Sequence, residues 1–381
     1  ARAAGADIVD CSGKLVTRSF VVGHHHIYSA LARGMPPPAR TPRSFNDLLE
    51  LIWWNLDKQL DADMIRSSAL ATAIEAAQCG TTFIIDHHAS PFAVADSLHI
   101  IGAALEEVGL GHLLCYELSD RDGPESLQQG LAETRTYLEN HAGLVGLHAS
   151  FTVSDATLAA AVELAGESDT GIHIHVAEAE SDQEDSMRRY GKRVVERLQA
   201  AGALTSSRSL LVHCLHLNHA ERRLLRDSPL WVVHNPQSNQ NNAVGAFDST
   251  SLGDRILLGT DGMHSDMLSS TNAAYLESQT QVSLSPLQAY NRLRRAHDYL
   301  AENGIEGDSS NNLVVLDYHT PTPVTSDNWP AHVVYALQSR HVCDVLSRGR
   351  WVVRNRQLVH VDEERCLAQA QEQAARLWKK L

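Results

Sequence analysis

Short β-branched apolar runs alternate along this chain with longer segments of helical spacing, and many of the runs finish in an ionisable residue. In Gly171 to Glu180, Ile172, Ile174 and Val176 alternate with His173 and His175, a period of two that predicts a strand with both histidines on one face. Similar runs over 20–23, 81–86, 112–117, 144–148, 209–213, 230–234 and 255–260 bring the number of predicted strands to eight. Helical patterns over 61–78, 94–108, 125–140, 155–165, 186–200 and 219–226 lie between them. Ser285-Pro286-Leu287-Gln288 reads as a capping box with proline at the first helical position, opening a helix that Gly304 ends. Eight strands with helices or long loops between them predict a (β/α)8 TIM barrel. An open doubly wound sheet would want a glycine-rich loop after its first strand, and there is none.

The pattern changes after Gly304. Runs at 313–318, 333–337, 342–346, 351–353 and 358–359 predict short strands, with turns at Gly349-Arg350 and Asn355-Arg356, and 363–381 predicts an amphipathic helix. The barrel is assigned to 19–304, with a small flanking β-sandwich domain built from both chain ends, 1–18 and 305–362. Between the first strand and residue 61 lies a segment with Gly34, Pro36-Pro37-Pro38 and Pro42, expected to cover the substrate. Its Tyr28, Phe45, Trp53 and Trp54 suit stacking on a flat ligand, or packing the cover against its own barrel.

Composition narrows the function. The chain has 381 residues, 43% of them hydrophobic, enough for a large core. Its net charge of -14, from 46 acidic and 32 basic residues, disfavours nucleic acid as a partner. Six scattered cysteines make no metal-binding pair and fit a reduced, cytoplasmic compartment; nothing reads as a signal peptide or membrane span. The chain opens without methionine and in mid-pattern, so further residues are expected before Ala1.

The 21 histidines concentrate at strand ends, where barrels place their chemistry. His24 and His26 point one way from an extended segment while His25 points the other. With His175 and Asp261 they make a His3Asp set that suits one divalent ion, zinc first, iron or manganese as alternatives. No lysine occupies the fourth strand, so a carbamylated lysine cannot bridge two ions. Glu178, three residues past His175, is placed to shuttle protons, and Asp261 could also accept the proton of the attacking water. His213 could orient the nucleophile or stabilise charge, or be a core histidine bonded to a carbonyl. Candidate substrate contacts are His234, Gln237, Asn239, Arg121, His148 and His264; for Arg121, plain surface solvation is the competing account, and for His234 a role in organising its loop.

Several of these motifs together resemble the amidohydrolase superfamily, in its aminohydrolase and chlorohydrolase branch. They are the first-strand His-x-His, His175-x-x-Glu178, His213-Cys214, His234-Asn235-Pro236-x-Ser238-Asn239 and Gly259-Thr260-Asp261-Gly262. Within the branch, His24 to Ser29, Leu31 to Gly34, Trp53-Trp54, Asp86 to Pro91 and Asn241-Asn242 are similar to the SsnA-like aminohydrolases. The resemblance implies a cytosolic homodimer that hydrolyses an amino-purine or other cyclic amidine to the oxo compound and ammonia, with no membrane partner. A chlorinated ring as substrate, or a barrel that binds metal or purine without turnover, are the alternatives. The chain departs from the family where Val21-Val22-Gly23 stands in place of proline-glycine, and in the stretch from Gly304 to Asn312.

Overall fold

The computed structural model describes residues 8–381. Thirteen strands form two sheets among the described residues: β1 (Leu15–Arg18), β2 (Phe20–His25), β3 (Thr81–His88), β4 (Gly111–Leu118), β5 (Val145–Ala149), β6 (Ile172–Val176), β7 (Leu210–His213), β8 (Trp231–His234), β9 (Ile256–Leu258), β10 (Leu313–Leu316), β11 (Val342–Ser347), β12 (Arg350–Arg354) and β13 (Gln357–Leu358). Strands β2 to β9 pair in parallel and in sequence order, and a single parallel bridge between His25 and Asp261 joins last to first. The predicted barrel is therefore present, with all eight strands where the apolar runs place them.

Inside the barrel, alternate residues of each strand stack in levels. Phe83, Leu113, Leu210 and Trp231 pack together with Ile85, Cys115, Val212 and Val233, and helix Pro286–Glu302 adds Ala296, Tyr299 and Leu300. The same parity, continued toward the carboxyl ends of β3, β4 and β6, reaches His87, Glu117 and His175. One face of a strand thus changes from core to chemistry within two residues. The opposite parity, such as Ile84, Leu114 and Ile174, packs outward against the surrounding helices.

The seam between β2 and β9 is tight. A Cβ on Gly23 would lie 2.6 Å from the Leu258 carbonyl oxygen, and one on Gly259 would lie 2.9 Å from that of His24. Only glycine lets the two backbones approach this closely.

Strands β1, β10, β11, β12 and β13 form a five-stranded antiparallel sheet in that order, so both chain ends contribute to the flanking unit. Asp7, which the sequence grouped with this region, lies outside the described residues. Three local expectations are corrected. Residues 186–200 form two helices, Glu180–Tyr190 and Val194–Ala200, because Gly191 at φ +64° ends the first and Arg193 caps the second. Residues 333–335 close helix Trp329–Tyr335, opened by Pro330 in its first turn, and 336–337 follow it without forming a strand. The terminal helix is Glu363–Trp378.

The expected cover begins with a 3-10 turn, Ile27–Ala32, and after the prolines becomes helical again over 45–59. A π turn, Leu49–Trp53, interrupts that helical stretch. Among the described residues no helix is long and apolar enough to cross a membrane.

Candidate active site and metal centre

Four side chains from three barrel positions meet at the carboxyl-end mouth. His24 and His26 come from the end of β2, His175 from β6, and Asp261 from the turn after β9. One ligand-capable atom from each lies within 4.8 Å of all the others, and all four residues are buried.

Hydrogen bonding fixes what these imidazoles present to one another. His26 Nδ1 lies 2.7 Å from the His87 carbonyl, and His175 Nδ1 lies 2.7 Å from the His148 carbonyl. A carbonyl can only accept, so each Nδ1 carries the hydrogen and each Nε2 is left as a lone pair. Those two Nε2 atoms face one another at 3.1 Å. His24 Nδ1 lies 2.9 Å from His173 Nε2, and His173 Nδ1 lies 3.4 Å from the Cys115 sulfur. That sulfur lies 3.5 Å from the Asp86 carbonyl, so the thiol donates there and accepts from His173. His173 Nε2 then accepts from His24, whose own Nε2 becomes the third lone pair and has no hydrogen-bond partner.

Asp261 Oδ1 sits 3.4 Å from His24 Nε2 and 3.1 Å from His26 Nε2. Three lone pairs and a carboxylate converging in a buried space repel unless a cation stands between them. The donor set therefore fits one divalent ion, with neutral imidazoles whose second nitrogens are already anchored. A proton on His26 can do part of that work. Burial opposes charge on His26, yet the Asp261 carboxylate outweighs it and lifts the group to about 9. Burial holds His175 down at about 3 and His24 well below its ordinary value. Burial also opposes charge on Asp261, but the neighbouring His24 and His26 keep its carboxyl well below the usual range.

Beside the four lie Glu178 and His213. His213 Nε2 is 3.4 Å from Glu178 Oε2 and 4.0 Å from Asp261 Oδ2, and it has no hydrogen-bond partner. His213 Nδ1 is 2.8 Å from Asn239 Oδ1; with the amide oxygen there, Nδ1 is the donor and Nε2 a lone pair. Burial, with the Asp261 charge added, pushes the Glu178 carboxyl well above the ordinary range. Backbone conformation at these positions is unusual. Ala177, His213, Cys214 and Asp261 all have φ between 47° and 69°, a region that residues other than glycine rarely occupy. Such outliers at neighbouring strand ends point to a site that the fold holds against local preference.

The loop after β8 supports Asp261. Asn235 precedes a short helix, Pro236–Asn241, and Ser238 on that helix donates its hydroxyl to Asp261 Oδ2. Asn242 Nδ2 reaches Ser238 Oγ at 3.3 Å and Glu178 Oε1 at 3.5 Å. Above the cluster opens a cavity. Tyr28, Phe45, Trp53 and Trp54 all line it, as the sequence anticipated, and so does His148. Asp57, Glu117, Ser238 and Met263 line it too, and sequence reasoning did not single them out.

The other expected substrate contacts stand back from the cavity. His234 bonds Glu277 at 2.7 Å and stacks on Phe247 with ring centres 4.4 Å apart. Gln237 and His264 pair with each other at 3.1 Å, and Asn239 holds His213. Arg121 is buried behind the cavity wall, bonded to Asp57 and within 3.6 Å of Glu117, with its guanidinium 5.4 Å from the centre of the Trp54 ring. Plain surface solvation does not describe it.

Comparison with known proteins places this arrangement. The chain is 28% identical over 402 residues to a 5-methylthioadenosine/S-adenosylhomocysteine deaminase of Syntrophomonas wolfei, covering 97% of this chain and 88% of the relative. It is 31% identical over 346 residues to a 5'-deoxyadenosine deaminase of Methanopyrus kandleri, covering 85% and 78%. A crystal structure of an adenosine deaminase from Xanthomonas campestris with bound zinc superposes with a TM-score of 0.84 at 20% identity, over 96% of this chain and 87% of that one. The family model described as "Amidohydrolase family" matches residues 15–293, from the first strand of the flanking sheet through all eight barrel strands. On that match, this chain belongs to the amidohydrolase family.

Proposed function

We propose that this chain is a hydrolytic deaminase, converting an amino-substituted purine or related cyclic amidine to the oxo compound with release of ammonia. His24, His26, His175 and Asp261 would hold one divalent ion, and zinc is the ion this N/O set suits best. When bound, such an ion would act as a Lewis acid and ready a water for attack near neutral pH.

The chain's own residues supply the proton transfers. Burial and the Asp261 charge raise the Glu178 pKa and so favour its protonated form, which can donate to the ring nitrogen beside the attacked carbon. Having lost that proton, its carboxylate can take one from the adding water and pass it to the departing amine. His213, with Nδ1 tied to Asn239, presents an acceptor at Nε2 that aligns the water. Asp261 stays ionised and can accept the first proton from it, then return that proton to Glu178. The aromatic wall of Tyr28, Trp53 and Trp54 suits the faces of a flat ring. The balance is water plus ring amine giving ring carbonyl plus ammonia.

One observation carries this reading: three buried imidazole lone pairs and a carboxylate converge beside a second carboxyl group whose pKa burial raises. The names of the two deaminase relatives support a purine ring, and the stretches similar to the SsnA-like aminohydrolases support an aminohydrolase. The test is release of ammonia by the zinc-loaded and iron-loaded protein from guanine, 8-oxoguanine, isoguanine, cytosine and adenine derivatives, with a chlorinated analogue alongside. Halide release without ammonia release would overturn the assignment.

A further inference from the structure

On the β3 and β4 side of the barrel mouth a second group of lone pairs faces inward. His87 Nε2 lies 3.1 Å from the Leu147 carbonyl, which can only accept. Nε2 therefore carries the hydrogen, and Nδ1 is left as a lone pair. His87 is fully buried, and that Nδ1 has no hydrogen-bond partner. It stands 3.5 Å from Oε2 of Glu117, which shares the inward parity on the neighbouring strand. Arg121 lies 3.6 Å from Oε1 of the same carboxylate, so Oε2 is the oxygen presented to the imidazole. His175 completes the group: one ligand-capable atom from each of the three residues lies within 4.8 Å of the other two.

Spacing decides what belongs between His87 and Glu117. A proton shared by the two would draw nitrogen and oxygen to about 2.7–3.0 Å, and 3.5 Å makes no such bond. Two ligands each about 2.1 Å from a tetrahedral ion stand about 3.4 Å apart, close to the spacing observed. The same separation recurs in the first centre, where Asp261 Oδ1 lies 3.4 Å from His24 Nε2. Charge also favours a cation here. Asp57, Glu117, Glu178 and Asp261 line the cavity, and no lysine or arginine does so among the described residues. The single free lone pair of His175 can serve one ion at a time. A second ion would thus keep two protein ligands and take the rest from water in the cavity.

We propose that His87 Nδ1 and Glu117 Oε2 form a second, weaker site for a divalent cation beside the first, and that its occupant competes for His175 and crowds the cavity, so that zinc in excess inhibits. Neither residue belongs to the His24, His26, His175 and Asp261 set. The site depends on this ligand geometry and not on which ring is deaminated.

The full chain is stripped of metal with a chelator and titrated with Co2+ and with Zn2+, and bound ion is counted by equilibrium dialysis with elemental analysis. Two ions per chain are expected, the second held about 100-fold more weakly because it has fewer protein ligands and is repelled by the first. Glu117→Gln, which keeps the side chain's shape, and His87→Gln should each weaken the second ion by about tenfold or more and the first by less than about threefold. Two Co2+ ions this close couple magnetically, so the second equivalent should diminish the EPR signal per ion. Filling the second site should lower ammonia release by about half or more. Uptake of no more than one ion per chain at millimolar metal overturns the proposal, whether or not the variants fold. So does a second ion magnetically isolated from the first, or a folded Glu117→Gln protein that binds it as tightly as the parent. Undiminished ammonia release with both ions bound overturns the inhibition. Coupled uptake of two ions with no ammonia release from any substrate would leave the site standing and remove the deaminase reading instead.

Discussion

Ser238 offers a test of the metal centre that leaves all four proposed ligands in place. Its hydroxyl donates to Asp261 Oδ2, while Oδ1 faces His24 and His26. Asp261 sits at φ +53°, so its own backbone does little to hold the carboxylate in a preferred pose. A hydrogen bond to a charged acceptor contributes about 1.5–3 kcal/mol. Ser238 lines the cavity, and water can partly replace the lost hydroxyl, so the lower end applies. About 1.5 kcal/mol corresponds to roughly a tenfold weaker hold on the ion, within the range seen when groups behind metal ligands are removed. Ser238→Ala should therefore lose zinc to a competing chelator at about one-tenth the chelator concentration that strips the parent. Ser238→Thr, which keeps the hydroxyl, should stay close to the parent. Equal zinc retention by the alanine and parent proteins would refute the claim that Ser238 holds Asp261 in its ligating pose.

Glu178→Gln keeps the shape of the side chain and removes its proton transfer, so turnover should fall on the order of 10²-fold or more with metal content unchanged. Ammonia release beside elemental analysis separates the two, and undiminished turnover would remove Glu178 from the chemistry. Gly259→Ala would set a Cβ 2.3 Å from Asn235 Oδ1 and 2.9 Å from the His24 carbonyl oxygen, which predicts about 3 kcal/mol of destabilisation or more. A thermal midpoint within a degree of the parent would contradict it. Asp182 accepts from the Ala177 amide at 2.8 Å, and burial pushes its carboxyl up to about 7. A carboxyl raised on folding from about 3.9 binds its extra proton in the folded state. Its contribution is therefore complete below about pH 4 and is lost as pH rises through about 7. Asp182→Asn should narrow the gap in denaturant midpoint between pH 5 and pH 8, whereas parallel curves for the two proteins would rule this out.

The barrel was legible because its strands are short, β-branched and bounded, and because inward parity runs straight into a histidine or a carboxylate. His175 and Glu178 could be read from one stretch of ten residues, and His24 and His26 from another. Asp57 and Glu117 could not be singled out, and Ser238 stood only as one letter of the His234-to-Asn239 motif, because their meaning lies in contacts between distant segments. Ser238 meets Asp261 across 23 residues, and Asp57 meets Arg121 across 64. Arg121 misled for the same reason: its sequence neighbours are polar, while its partner arrives from the cover. The strand expected at 333–337 failed because Val333 and Val334 suit either structure, and Pro330 opened a helix three residues earlier. Helix Met267–Ser278 gave little periodic signal because buried polar residues, Ser270, Thr271, Glu277 and Ser278, interrupt its apolar face. Two of those reach other segments: Ser270 donates to the Gly259 carbonyl, and Glu277 holds His234.

The closure between β2 and β9 gives the centre a second consequence. The two ends of this sheet are joined by one parallel bridge and by backbone hydrogen bonds from Thr260 and Asp261 to the His24 carbonyl and from His26 to the Asp261 carbonyl, at a line where two glycines allow close approach. His24 and His26 belong to one lip of the join and Asp261 to the other, so the ion proposed for this set would clasp the join as well as serve the reaction. The last barrel strand would then be latched to the first by the same atoms proposed for the chemistry.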